Sequence, residues 1–180
     1  MKKVLVMVVA AMMATVNVNA QDEPLNEIGI AYGGASNTNI IGSFYNGIFT
    51  GSQSSYWGPV SLEYFRRLES TPKLGFGAVL AISGCKWENS SSNATKTTFY
   101  TVMPAVKYNW VVKSHLSMYS KVAAGITIAS DSGSGKTESA TSFNFQLTGF
   151  GIEFGSAFRV FAEAGLGEQG MILGGLRYKF

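Results

Sequence analysis

The stretch Gly170-Met-Ile-Leu-Gly-Gly-Leu-Arg-Tyr-Lys-Phe180 ends the chain, and it decides the fold. Its residues alternate with the period of two that a pleated strand imposes. Apolar or small residues occupy one face: Ile172, Gly174, Leu176, Tyr178 and Phe180. Arg177 and Lys179 occupy the other face. A strand with one face suited to lipid and one to a polar interior, at the very C-terminus, predicts the closing strand of a transmembrane β-barrel.

The first 20 residues predict an export signal. Lys2 and Lys3 precede the apolar run Val4–Ala14, and Val18-Asn19-Ala20 resembles a small-residue cleavage site. The apolar run is shorter than the ~20 residues that a membrane-spanning helix needs. We therefore expect three parts: a cleaved Sec signal peptide at 1–20, a short periplasmic segment at 21–26 and a barrel domain at 27–180.

The composition of the chain indicates that much of the protein surface does not face water. Charged residues make up 14% of the chain, whereas soluble domains carry about 25%. The formal charge of +3 includes Lys2 and Lys3, which leaves 3 − 2 = +1 on the mature chain, so no nucleic-acid partner is expected. With one cysteine, Cys85, and one histidine, His115, neither an intramolecular disulfide nor a metal site is expected, and no cofactor is predicted.

Eight segments have strand character, and the connections between them alternate in length. The predicted strands are Glu27–Ser36, Tyr56–Leu68, Leu74–Ser83, Thr98–Val111, Leu116–Ala129, Ser142–Phe154, Ala157–Leu166 and the terminal strand. Long polar connections at 37–55, 85–97 and 130–141 alternate with short ones at 69–73, 112–115 and 155–156, and a fourth outer connection, 167–170, is brief. This order predicts an all-β, eight-stranded antiparallel up-and-down transmembrane β-barrel with short periplasmic turns and longer extracellular loops. A water-soluble β-sandwich, which also alternates, is the competing interpretation.

Two places conflict with regular strands. Phe143, Phe145 and Leu147 share one parity while Phe150 and the apolar residues after it share the other, so one uninterrupted strand cannot send all of them to lipid. A β-bulge near Gly149 would resolve this. Pro104 removes a hydrogen-bond donor from the fourth strand. Proline is normally confined to edge strands, and a closed barrel has no edge strand, so this proline conflicts with the prediction.

The alternation along each strand also predicts which side chains point into the barrel and which point outward. The charged residues predicted to point inward are Glu63, Lys107, Lys121, Arg159, Glu163, Arg177 and Lys179, which is two acids against five bases. Such charges must pair or stay hydrated, and Glu163 and Arg177, on adjacent strands, are a candidate pair. Two aromatic girdles are predicted at the membrane interfaces, with Trp57 and Trp87 near the loops and Tyr64, Tyr108 and Trp110 near the turns.

The chain resembles the small outer-membrane β-barrels of Gram-negative bacteria, of the OmpX and OmpA-barrel type, and the barrel-domain proteins of Bacteroides-like organisms. The resemblance covers residues 27–180 and is carried by the export signal, by Gly149–Phe154, which reads Gly-x-Gly-x-x-Phe, and by Gly175–Phe180. It implies that the barrel-assembly machinery recognises Tyr178 and Phe180 and that outer-membrane lipid and lipopolysaccharide surround the barrel. It does not supply an activity.

The sequence favours a non-enzymatic protein. Eight strands enclose a bore that side chains fill, so we expect a narrow, polar and largely plugged interior. We expect a structural or surface-interaction role, in which the outer loops contact a host or other cell-surface ligand. The alternative is a small pore, in which the excess of inward bases would favour anions. A lipid-modifying enzyme is the weaker alternative, because the only histidine, His115, falls at a predicted periplasmic turn and has no outward-facing serine or carboxylate companion. Ser130–Thr137 resembles a phosphate-binding loop but lacks its first glycine, and Gly165–Gly170 reads as the last hairpin.

Overall fold

A computed structural model of the chain describes residues 24–37, 40, 54–88, 94–132 and 139–180. The predicted export signal, the predicted start of the mature chain and most of the three long connections lie outside these residues. Within them the chain forms eight antiparallel strands: β1 (Asn26–Gly34), β2 (Ser54–Leu68), β3 (Thr71–Glu88), β4 (Ala94–Val112), β5 (Leu116–Ser132), β6 (Ser139–Gly155), β7 (Phe158–Gly167) and β8 (Ile172–Lys179). No helix in the described part is long and apolar enough to cross a membrane.

The strands close into one barrel in chain order, with β8 returning to β1. These two strands pair from Glu27 opposite Lys179 to Gly34 opposite Ile172. Beyond the ladder, the backbones of Asn26 and Phe180 exchange two hydrogen bonds of 2.9 and 3.0 Å. Over this paired length, closure leaves neither β1 nor β8 with an open edge. The predicted eight-stranded antiparallel up-and-down barrel is therefore confirmed.

The outer wall of the barrel is apolar. Leu62, Leu80 and Val102 follow one another around three neighbouring strands and are all exposed. Their chain neighbours Glu63 and Thr101 are buried inside. This arrangement inverts the pattern of a soluble barrel, because the period of two here sends the polar residues to the interior.

The bulge predicted at Gly149 is present. The pairing of β6 with β7 shifts between Thr148 and Phe150, and the pairing with β5 shifts at the same level. The extra residue restores the outward direction of the apolar side chains on both sides of it, so that Phe145 and Phe150 are both exposed. A second shift, between Trp57 and Val60 of β2, was not predicted. It is the reason why Trp57 and Val60, which differ in parity, both face outward.

Pro104 lies on the outer face of β4 and interrupts only one ladder. The pairing with β3 continues through Ala78 opposite Pro104. On the β5 side the pairs stop at Val102 and resume at Ala105 in the same register. The missing donor is therefore accommodated by a gap in one ladder, without a bulge.

Several strand ends were predicted wrongly. β3 continues to Glu88 instead of ending at Ser83, and β4 begins at Ala94 instead of Thr98. The added residues are mostly polar on both faces, so the apolar alternation that reveals a strand is lost there. The predicted order of connections is retained, because the links at the opposite end of the barrel, 69–70, 113–115 and 156–157, are all short.

Candidate functional site

The barrel interior gathers most of the buried charge. All seven residues predicted to point inward are buried there, each no more than 6% exposed. They come from β2, β4, β5, β7 and β8: Glu63, Lys107, Lys121, Arg159, Glu163, Arg177 and Lys179. Strand β3 contributes no charge to this group and instead supplies Val79, which packs with Phe65 and Met103 as an apolar layer.

The predicted balance of two acids against five bases was wrong. Glu27 of β1 and Glu153 of β6 are also buried in the interior. Glu153 was overlooked, although the predicted bulge at Gly149, which sends Phe150 and Phe154 to lipid, already places it inside. Glu27 was missed because it is the first residue of its predicted strand, although it shares parity with the inward-facing Ala31. Together with Glu63 and Glu163 they give four carboxylates, and Glu168, which follows β7, is a fifth. Arg67 of β2 is a sixth buried base.

Eight of these charges form a single network, which we call the interior ion network. Its members are Glu27, Glu63, Glu153, Glu163, Lys107, Lys121, Arg177 and Lys179. Four acids and four bases make its formal charge zero. Its members come from seven strands, so the network ties the barrel wall together across the bore.

Arg177 lies at the centre of the network and contacts all four carboxylates. Its Nη2 lies 2.6 Å from Glu63 and 3.6 Å from Glu163, and its Nη1 lies 3.4 Å from Glu153. Its Nε is 3.9 Å from Glu27. The planar guanidinium suits this role because it directs its N–H groups to several acceptors in one plane. The candidate pair of Glu163 and Arg177 thus exists as one contact of four.

On one side of Arg177, Lys121 bridges two carboxylates. Its ammonium contacts Glu63 and lies 2.7 Å from Glu163. The Glu163 carboxylate also accepts hydrogen bonds from the Tyr119 hydroxyl at 2.6 Å and from the Thr148 hydroxyl at 2.8 Å. A buried carboxylate with this many donors has its charge well compensated.

On the other side of Arg177, two lysines share the remaining acids. The Lys107 ammonium lies 2.6 Å from Glu27 and 3.1 Å from Glu153, and the Lys179 ammonium lies 3.2 Å from Glu153. Lys107 also lies 4.1 Å from the centre of the Tyr119 ring. The faces of aromatic rings attract cations, so Tyr119 serves both halves of the network.

Arg159 lies opposite Arg177 in the β7–β8 ladder, and its guanidinium is directed to the short turns. Its guanidinium donates to the Ser117 hydroxyl at 2.6 Å and to the backbone carbonyls of Ser114 and Ser156 at 3.1 and 3.0 Å. It thereby joins the turn before β5 to the turn before β7. This residue braces one end of the barrel.

A second group of buried polar residues lies above the network, and the sequence did not predict it. The Gln169 carboxamide donates to Glu63 at 2.8 Å and to the Ser61 hydroxyl at 2.9 Å. Glu168 accepts a hydrogen bond of 2.9 Å from the Asn144 carboxamide. Both residues belong to the connection between β7 and β8, residues 168–171, and their side chains turn inward. A connection without regular structure has no parity, so no pattern in the sequence could reveal its direction.

The aromatic residues predicted to form girdles lie on the outer wall where they are described. Trp57, Tyr64, Tyr108 and Trp110 are all exposed. The side chain of Trp87 lies outside the described part of the structure. At the turn end the Tyr178 and Phe180 rings stack at 5.7 Å, and Tyr178 contacts Phe158 at 4.7 Å. These three rings form a continuous aromatic patch where the barrel closes.

The groups with catalytic potential are dispersed. His115 is exposed in the turn between β4 and β5, while Cys85 is buried inside β3. Within the described residues, no three His, Cys, Asp or Glu side chains are grouped so that they could hold a metal ion.

Comparisons with known proteins support the fold. The chain is similar to a solved structure of Ail, the attachment invasion locus protein of Yersinia pestis, in complex with the heparin analogue sucrose octasulfate. The two chains are 18% identical, the alignment covers 88% of this chain and 100% of that chain, and the TM-score is 0.50. The N-terminal β-barrel domain of Pseudomonas aeruginosa OprF aligns over 88% of this chain and 100% of its own, with 13% identity and a TM-score of 0.47. No protein-family model and no curated protein matches the chain. At this level of identity the likeness to Ail concerns the fold alone, which is that of the small outer-membrane barrels.

Proposed function

We propose that the protein is an integral outer-membrane barrel with a closed interior, and that it holds a protruding β-sheet through which it contacts other proteins. The role is structural and adhesive, without catalysis. The observation that carries the proposal is the unequal length of the strands. Strands β2–β6 have 15 to 19 residues, whereas β1, β7 and β8 have 8 to 10. About 9–11 tilted residues suffice to cross a membrane.

The apolar outer wall and the interior ion network support the first half of the proposal. An exposed apolar belt of this extent needs lipid around it. Inside, eight strands leave a bore that side chains fill. The interior ion network is formally neutral, and each of its members contacts an opposite charge. Outside the network, the buried charges of the described residues are one acid, Glu168, and two bases, Arg67 and Arg159. The predicted excess of three inward bases is therefore reduced to one, which weakens the argument for an anion-selective pore.

The outer-membrane setting brings further proposed partners. Lipid and lipopolysaccharide would cover the apolar wall, and the barrel-assembly machinery would recognise the terminal strand through Tyr178 and Phe180. Both residues lie in the aromatic patch beside the seam between β1 and β8. Export would require the predicted signal peptide at 1–20.

The protruding sheet has an edge without a partner strand. β6 pairs with β7 only up to Gln146 opposite Gly167, yet it continues beside β5 to Ser139 opposite Ser130. The Phe145 carbonyl still accepts a hydrogen bond from the Glu168 N–H. Six residues, 139–144, therefore have a strand on one side only within the described part of the chain. At about 3.4 Å per residue they offer roughly 20 Å of edge.

The composition of this edge favours pairing with another chain. Native edge strands are commonly protected by lysine, proline or inward charges, but Ser139–Phe145 reads Ser-Ala-Thr-Ser-Phe-Asn-Phe. Phe143 is 73% exposed beside this edge. An extended segment of a partner protein could add a strand here, with backbone hydrogen bonds giving affinity and Phe143 giving an apolar contact.

The direction of the free backbone groups can be read from one hydrogen bond. The Phe145 carbonyl accepts from the Glu168 N–H at 3.0 Å, so the polar groups of Phe145 point away from β5. In an antiparallel strand, alternate residues direct both backbone groups to the same side. Thr141 and Phe143 therefore point their N–H and C=O groups to the free edge.

This direction defines a sharp test. Thr141→Pro removes one donor from the free edge without removing a bond to β5, whereas Thr141→Val keeps the donor and changes the side chain. The measurement is the amount of soluble protein that binds to cells displaying each variant. Cells displaying Thr141→Pro should bind much less than cells displaying the parent chain, and cells displaying Thr141→Val should bind as much as the parent. Heat-dependent gel mobility would confirm that both barrels have folded. Equal binding by Thr141→Pro and the parent would refute recognition through this edge.

The closed interior has its own test. The refolded mature chain, inserted into a planar lipid bilayer, should carry no discrete current steps. Reproducible steps would show a wet interior and would favour the pore alternative.

A further inference from the structure

The protruding sheet of β2–β6 has two outer edges, and they differ in how they are protected against pairing. β1 accompanies β2 only as far as Tyr32 opposite Val60, so the upper part of β2 is one edge. This part contains Pro59 and a register shift that begins at Trp57, and its Gly58 N–H donates to the Tyr32 hydroxyl at 3.2 Å. Bulges and proline keep an edge from pairing. The other edge, residues 139–144 of β6, contains neither.

We propose that the partner of the β6 edge is a second copy of this chain in a facing membrane, with the two β6 strands paired antiparallel about a two-fold axis. The inference rests on the proposed function, in which this edge is the contact surface, and it names the partner. A second copy brings a strand that is already formed. Pairing with it therefore avoids the cost of ordering a flexible segment.

The backbone groups of the edge are complementary to themselves. Thr141 and Phe143 direct their N–H and C=O groups to the free edge, and the same alternation includes Ser139. With Thr141 on the two-fold axis, it lies opposite Thr141 of the second copy, and Ser139 lies opposite Phe143 of that copy. The three resulting pairs exchange about six backbone hydrogen bonds. All of them stay clear of the Phe145 carbonyl, which already accepts from Glu168.

The side chains of the edge also permit self-pairing. Residues 139–143 are exposed on both faces of the strand, so neither face is covered by the rest of the chain. None of them is charged, so two identical edges do not repel each other. Thr141 would meet its counterpart in a cross-strand threonine pair, which stabilises antiparallel sheets. Phe143, 73% exposed, would cover Ser139 of the second copy.

Strand tilt decides that the second copy lies in a facing membrane. Strands of membrane barrels are tilted by about 35–45° from the membrane normal. Two copies in one membrane are related by rotation about the normal, so their β6 strands would cross at roughly 70–90° and could not form a ladder. A two-fold axis in the membrane plane instead makes the strands antiparallel at any tilt. In this register Gln146 lies roughly 34 Å from its counterpart along the strand, which keeps the two apolar belts apart.

A disulfide between copies tests the proposal and its register. Each variant, in a Cys85→Ala background, is reconstituted in lipid nanodiscs that hold one barrel, so that copies meet only from different discs. Thr141→Cys places two thiols opposite each other, with about 5.5 Å between Cα atoms, which suits a disulfide. Ser139→Cys, on the same edge and also exposed, is the matched control, because roughly 14 Å separates it from its counterpart. With a mild oxidant, we expect the Thr141→Cys dimer to form at least tenfold faster on a non-reducing gel.

A mixed experiment decides the question if Thr141→Cys does not fold. Discs with Ser139→Cys and discs with Phe143→Cys should crosslink with each other, and neither should crosslink with itself. Equal rates for Thr141→Cys and Ser139→Cys, or no mixed dimer, would overturn pairing with a second copy. If Thr141→Pro still abolishes the binding of soluble proteins in that case, the edge stands and its partner is a different protein. If Thr141→Pro binds like the parent as well, both the second copy and the proposed contact surface are refuted.

Discussion

Replacing Arg177 should be the most damaging single change in the interior ion network. The side chain is fully buried and contacts all four network carboxylates. Its guanidinium also lies 4.1 Å from the centre of the Phe161 ring. In Arg177→Met the apolar stem and the packing on Phe161 are largely retained, so the change isolates the charge. Four buried carboxylates then face three ammonium groups.

The expected loss follows from that imbalance. Removing one partner of a buried ion pair costs about 3–5 kcal/mol, because a charge is left without compensation in a poorly solvated place. The whole free energy of unfolding of a domain is about 5–15 kcal/mol, so Arg177→Met should bring the barrel close to the limit of folding. Arg177→Lys should lose less, since it keeps the charge but not the planar set of donors that reaches several carboxylates.

A double-mutant cycle distinguishes charge balance from packing. Glu63→Gln neutralises the carboxylate that lies nearest Arg177, at 2.6 Å. Combined with Arg177→Met, it restores equal numbers of acids and bases. The double variant should therefore be more stable than the sum of the single losses predicts, by a coupling of about 1–3 kcal/mol.

The assay is equilibrium unfolding by urea of the barrel refolded in lipid vesicles, followed by tryptophan fluorescence. Heat-dependent gel mobility would confirm closure of each variant before titration. Arg66→Met, on the exposed face of β2, is the matched control and should change little. A loss below about 1 kcal/mol in Arg177→Met, or additive losses in the cycle, would show that the network does not hold the barrel together.

Three further changes should behave as follows in the same urea titration. Tyr119→Phe removes the hydroxyl that donates to Glu163 at 2.6 Å but keeps the ring beside Lys107, and it should cost about 1.5–3 kcal/mol; no change would mean that water replaces the hydroxyl. Gly149→Ala should leave the free energy of unfolding nearly unchanged, because a Cβ there meets no atom within 4 Å. Deletion of Gly149 removes the bulge and reverses the two faces of β6 on one side of it, so it should abolish the folded gel band. Gly151→Ala places a Cβ 2.5 Å from the Tyr119 ring and should cost about 1–3 kcal/mol; equal stability of the Gly149→Ala and Gly151→Ala variants would contradict the close packing described for Tyr119.

Much of the interior charge could be predicted from the sequence because direction within a strand is a local property. Lys107 and Lys121 share parity with small or polar neighbours, and that alone places them inside. Glu153 could also have been predicted from the sequence, because a bulge near Gly149 that sends Phe150 and Phe154 to lipid places it inside. The register of β6 against both neighbours confirms that bulge.

The contacts among these charges could not be predicted in the same way. Arg177 and Glu63 are 114 positions apart, and Lys107 and Glu27 are 80 apart. Which side chains meet across a bore depends on the accumulated register of all the intervening strand pairs. Parity assigns a residue to the interior but does not give its height along the barrel.

By itself, the sequence determined the class of the fold, the number of strands, the closing role of Gly170–Phe180 and the bulge at Gly149, since period-two alternation and its breaks are written in neighbouring residues. Only the tertiary structure decided that Arg177 contacts four carboxylates, that Glu168 and Gln169 turn inward and that 139–144 form an edge without a partner strand. These features arise from how far each strand extends beside its neighbours and from the direction of a connection. Both are set by long-range pairing and packing, for which a local pattern carries no signal.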